Sequence, residues 1–140
     1  MSIISNNESS HTVDFDHSKF DRLIKIALRR HKRLLGELNY IFCDDNYLLN
    51  VNREFLQHDY LTDIITFNYC EGRTVSGDVF ISLDRVKENS LLFSCAYIDE
   101  IVRVVMHGVL HLLGYDDHTE VDRANMRGME NYYISKYHSL

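Results

Sequence analysis

The chain has 140 residues, 45% hydrophobic and 26% charged, the profile of one globular domain (1–140) with enough apolar surface to close a core. Its formal net charge of −6 excludes bulk attraction to nucleic acid, so any contact with RNA has to come from a local patch. No run of 18 uncharged apolar residues and no basic-then-apolar leader occurs, which makes a soluble cytoplasmic protein with no membrane partner the expectation.

In chain order, residues 2–4 read as a short strand. From Ser18 the apolar residues Phe20, Leu23, Ile24, Ala27, Leu28 and Leu34 recur at helical spacing behind an Asp/Ser cap, so 18–34 is predicted helical, with Gly36 ending it. LNYIFC at 38–43 reads as a buried strand, and DDNYLLNVNREFL opens on capping aspartates and is predicted helical to about 56. IITFNY (64–69) and VSGDVFISL (75–83) are rich in β-branched and aromatic residues and are joined by CEGRT, so they are predicted to pair. A short helix is expected over 84–93. Residues 97–113 are apolar on nearly every face, as suits a helix buried in mid-domain, and a last helix over 119–137 opens with Thr119 and Asp122, close to a capping box. The class that follows is α+β: a small mixed sheet packed with about five helices, the central one buried. Proline is absent, so turns rest on Gly, Asn and Asp; Cys43, Cys70 and Cys95 are widely spaced without a C-x-x-C pattern and read as small hydrophobes.

The stretch HGVLHLLGYDDH at 107–118 stands out. His107 and His111 lie about 40° apart around a helix and one turn apart along it, so both rings can converge on one point, and a metal ion is the commonest reason for that. Gly114 and Tyr115 then break the helix and let the chain fold back, bringing Asp117 or His118 within reach of the same ion, with Asp116 close by. A lone histidine of this kind is more often a satisfied core residue. Two at i, i+4 followed by a helix break and a third donor favour the ion. The metallopeptidase motif H-E-x-x-H is not met, because Gly108 stands where that motif has its glutamate base.

HGVLHLLGYDDH, with LTDIITF at 61–67 and SGDVFIS at 76–82, resembles the YbeY family of bacterial zinc-dependent endoribonucleases, over roughly residues 49–130. The resemblance implies one zinc ion per chain, with His107 and His111 as its first two ligands. The family's third ligand lies ten residues after the first, which is Asp117 here, whereas the nearest histidine, His118, lies eleven after; register favours the one and ligand type the other. Relatives carry an arginine six residues before the Thr-Asp pair. That position is Leu56 here, and Arg53, one turn earlier, takes its place as a phosphate contact. Where relatives often carry a histidine four residues before the first ligand, this chain has Arg103, suited either to clamp a phosphate or to pair with Asp99 or Glu100.

Asp78, after Gly77 at a strand start, is read as a turn or structural carboxylate ahead of a role near the metal. Most aromatic residues are read as core rather than base-stacking surfaces, among them Phe67, Tyr69, Phe80, Tyr132, Tyr133 and Tyr137. Arg22, Lys25, Arg29 and Arg33, together with Arg30 and Lys32, crowd the first long helix. They form either a phosphate-binding stripe, whose contacts weaken steeply with salt, or a solvated face with cations at a helix C-terminus.

The leading expectation is therefore a single-strand-specific, zinc-dependent endoribonuclease of ribosomal RNA maturation, acting on a ribosomal RNA precursor at the small ribosomal subunit. Two rivals stand beside it: a zinc hydrolase of another substrate class, and a zinc-stabilised assembly factor without catalysis. Four protein ligands would mark the structural role and an open coordination position the catalytic one.

Overall fold

The computed structural model describes residues 1–12, 16–58 and 61–140. In chain order these form β1 (Ser2–Asn7), α1 (His17–Arg30), β2 (Leu34–Cys43), α2 (Asp45–Leu56), β3 (Ile64–Asn68), β4 (Thr74–Ser82), α3 (Leu83–Leu92), α4 (Tyr97–Leu112) and α5 (Glu120–Ser139). The four strands make one mixed sheet in the order β1-β2-β4-β3; β1, β2 and β4 run parallel, and β3 is antiparallel to β4. This is the expected α+β class. No helix among the described residues is long and apolar enough to cross a membrane.

Local chemistry accounts for most element boundaries. Asp16 caps α1 by accepting from the Ser18 and Lys19 amides, and Thr119 caps α5 by accepting from that of Asp122. Asp44 occupies the cap position of α2, but its carboxylate accepts from the Ser10 amide instead of the helix. Three sequence expectations are corrected. α1 stops at Arg30, not 34, because the chain turns at Lys32 (φ 54°) and Leu34 and Leu35 pair with Thr74 and Val75 of β4. Gly36 consequently ends no helix; it lies within β2, where a Cβ would run into Ser76 and Thr74. β1 is also longer than the 2–4 reading, since pairing with residues 37–42 of β2 extends it to Asn7.

The main core lies on one face of the sheet. There α1 (Phe20, Leu23, Ile24, Ala27, Leu28) and α5 (Met126, Tyr133, Tyr137) surround α4, and Val75, Val79 and Ile81 of β4 meet them. On the other face α2 covers a smaller cluster of Cys43, Leu48, Val51 and Ile65, flanked by Phe67 and Phe80. α4 packs tightly on the sheet at Gly108, where a Cβ would stand 2.8 Å from Val79 Cγ1 and 3.1 Å from Ile64 Cδ1. A glutamate at that position would have to displace Val79 of the sheet, so the helix as packed has no place for a peptidase-type base there. His107 and His111 flank the seat.

Candidate metal centre

α4 ends at Leu112, and Gly114, at φ 102°, takes a backbone conformation that side chains rarely tolerate and turns the chain back. Three residues later Asp117 faces the two histidines. Its Oδ2 lies 3.5 Å from Nε2 of His107 and 3.5 Å from Nε2 of His111, and the two Nε2 atoms are 2.9 Å apart. Ligands held about 2.0–2.1 Å from a zinc ion in a tetrahedral array are roughly 3.3 Å from one another, so this triangle matches one face of such a site. Two imidazoles and a carboxylate also suit a divalent transition metal chemically. His118 is not brought there: its side chain is 80% exposed, and its Nε2 lies 3.9 Å from Asp116.

The turn carrying Asp117 is fastened from both sides. Nδ1 of His31 donates to the Ala27 carbonyl (2.8 Å), leaving Nε2 to accept from the Tyr115 hydroxyl (2.9 Å). Arg33 reaches the Leu113 carbonyl at 3.5 Å, and Arg123 of α5 donates to the carbonyls of Asp117 and His118 at 3.3 and 3.2 Å.

Behind the first histidine stands a residue that sequence reasoning missed. Glu130 of α5 is only 4% exposed, and its Oε2 accepts from Nδ1 of His107 at 2.7 Å. That bond fixes the tautomer with the Nε2 lone pair toward Asp117, the usual arrangement behind a metal-bound imidazole. Burial alone would lower the His107 pKa, but the hydrogen bond and charge of Glu130, with Asp117 and Asp63 nearby, raise it above the ordinary value. A signal for Glu130 exists in the sequence. Met126, Glu130, Tyr133 and Tyr137 are the buried positions of α5, so a carboxylate interrupts an apolar stripe.

Arg103 takes the ion-pair alternative. Its Nε bonds Glu100 at 3.2 Å and its Nη1 bonds Glu130 at 3.3 Å and Asn131 at 3.2 Å, so it steadies the carboxylate behind His107. Arg53 stands on α2, which covers the sheet face opposite α4, and lines neither cleft beside the histidines. Asp78 accepts from Asn39 (2.9 Å) and lines a separate recess with Glu37 and Tyr69. Arg22, Lys25 and Arg29 are exposed along α1; Arg33 falls beyond the helix end and is half-buried, which shortens the predicted stripe.

The triangle opens on two clefts of about 400 and 410 Å³. Asp63, His107 and Asp117 line both. Asp63, from the Thr-Asp pair that leads into β3, was also not singled out from sequence; burial pushes its carboxyl above the usual range, against the pull of the His107 charge.

Comparison with known proteins adds independent findings. The sequence model of the family described as Endoribonuclease YbeY matches residues 3–138. Proteins named Endoribonuclease YbeY from Bacteroides fragilis (44% identical over 131 residues, 94% of each chain) and Flavobacterium johnsoniae (41% over 133 residues, 95% of each) are similar over nearly the whole length. One from Porphyromonas gingivalis is 52% identical over 101 residues, covering 72% of this chain and 67% of that protein. The solution structure of TM1509 from Thermotoga maritima superposes with a TM-score of 0.67 at 22% identity, covering 97% of this chain and 89% of the other, and so shares the fold.

Proposed function

Since the chain belongs to the YbeY endoribonuclease family, we propose that His107, His111 and Asp117 hold one divalent ion, zinc by ligand type, and that this centre hydrolyses phosphodiester bonds of single-stranded ribosomal RNA precursors. A hydrolytic endoribonuclease is what its relatives are named for. The finer reading is carried by one observation: the carboxylate of Asp117 is equidistant, at 3.5 Å, from two imidazole nitrogens, and the first of these rings, that of His107, is held from behind by a buried glutamate.

When bound, such an ion lowers the pKa of a water to about 7 and polarises a phosphoryl oxygen. The chain's own groups do the rest. Glu130 keeps the proton of neutral His107 on Nδ1, so that in this form Nε2 is presented as a lone pair. Arg103, placed between Glu100 and Glu130, holds that carboxylate in position. Asp63, half-buried, puts a second carboxyl into both clefts beside His107 and Asp117, the group we assign to orient a water or receive its proton. Three donors rather than four face one point among the described residues, and that point opens on clefts, which favours catalysis over a structural tie between α4 and α5.

The small ribosomal subunit and a cytoplasmic location belong to the same proposal. So does the shortened stripe of Arg22, Lys25 and Arg29, which offers phosphates an outer contact on α1. Charge reversal at Arg22 and Arg29 should weaken RNA binding at low salt with metal content unchanged; unaltered binding removes the stripe.

The test of the centre compares His111→Ala and Asp117→Ala with His118→Ala. The first two should lose bound metal and cleavage of single-stranded RNA, while the third keeps both. Full RNA cleavage by a metal-free His107→Ala/His111→Ala protein would overturn the mechanism. A peptide panel run beside the RNA would expose the other hydrolase class.

A further inference from the structure

α5 turns one face toward the larger cleft: Arg123, Met126, Arg127 and Glu130, spaced i, i+3, i+4 and i+7, all line it. Met126 is buried and Glu130 holds His107, so the two arginines between them have a different role to fill. The guanidiniums of this cleft divide by partner. Arg103 is spent on Glu100 and Glu130 and is 18% exposed. Arg123 donates to two main-chain carbonyls, which fix its direction without neutralising its charge. Arg127 is 56% exposed and lies 3.9 Å from Glu130, a carboxylate already bonded to His107 and Arg103.

The same cleft is lined by Phe93, which closes α3 and is 58% exposed. Leu91 and Leu92, before it, are 74% and 72% exposed, so α3 ends in an apolar tip of which Phe93 is the part that lines the cleft. An aromatic ring and two guanidiniums with charge to spare, around a floor of His107 and Asp117, is the combination by which proteins track single-stranded nucleic acid: phosphates on cations, bases on rings.

We propose that this cleft is the substrate groove, in which Arg123 and Arg127 grip the phosphates flanking the scissile bond and Phe93 stacks on an adjoining base. The assignment rests on the nuclease reading above and replaces Arg53 and Arg103 as the phosphate contacts. It also separates the groove from the stripe on α1, whose residues do not line the cleft.

The experiment uses full-length, metal-loaded protein and a fluorescent single-stranded oligoribonucleotide, with kcat/KM measured over a range of salt. Arg123→Gln falls short of the loop carbonyls that Nη1 reaches, so its kcat/KM is read beside its metal content, and Arg127→Gln touches no loop atom. Each should lower kcat/KM on the order of tenfold, and the double variant should flatten the log–log salt dependence by about 1.4, at roughly 0.7 per single-strand phosphate contact. Phe93→Ala should raise KM on the order of tenfold, and Phe93→Trp should restore it. Metal content and thermal midpoint should stay at wild-type values throughout. Unchanged kcat/KM and salt slope in the double variant, with wild-type protein cleaving normally, overturns the groove and leaves the nuclease reading standing. So does a loss confined to Arg123→Gln that follows its metal content, since Arg123 would then be only a prop for the Asp117 turn. Wild-type, metal-loaded protein that cleaves no RNA removes the nuclease reading, and the groove with it.

Discussion

With Nδ1 of His107 2.7 Å from a carboxylate that solvent scarcely reaches, the ring can neither flip nor offer its other nitrogen. The same contact raises the affinity of His107 for protons, so protons compete with a cation for this residue at higher pH than they would at an ordinary imidazole. Glu130→Gln keeps an acceptor for the Nδ1 proton but removes the charge. It should weaken metal affinity on the order of tenfold in a chelator competition, and Glu130→Ala more. Equal affinity in all three proteins would show that Glu130 serves packing alone. Such a residue is hard to find from sequence because it lies 23 positions from its partner. His107 and His111 were legible because their relation is local, four residues on one helix, whereas Glu130 and Asp63 reach them only through the packing of α5 and β3 on α4.

Among the elements, α4 and the β3–β4 pair were readable because burial on every face, or strand alternation joined by a glycine turn, is written in consecutive residues. The start of β2 was not. Its first residues carry a helical period that pairing with β4 overrides, and the glycine that looked like a stop is a close approach between strands. Three elements meet at Asp84, at the start of α3. Its carboxylate accepts from the Asp45 amide of α2 (2.9 Å) and from Nε2 of His11, in the segment before α1 (2.6 Å). The Asp45 amide first, and His11 next, hold this carboxyl below its ordinary value of 3.8. A depressed carboxylate stabilises the fold above its unfolded-state pKa, and that contribution is lost as pH falls through the folded one. Urea unfolding should therefore find wild type more stable than Asp84→Asn at pH 7, with the gap closing below about pH 4. A gap independent of pH would assign the effect to shape rather than charge.

For the molecule as a whole, class and helix number followed from the sequence, while strand order did not, since no periodicity states which strand lies beside which. That order, β1-β2-β4-β3, places the last strand of the chain at the sheet's interior. During synthesis β2 consequently waits with one edge bare and β3 without a neighbour until residue 82 has left the ribosome, and only then can Val79 offer α4 its resting place. The residues of the candidate metal centre, which come from α4, the turn after it and α5, all follow β4 in the chain, and a fragment ending before Thr74 would keep an unprotected, sticky margin.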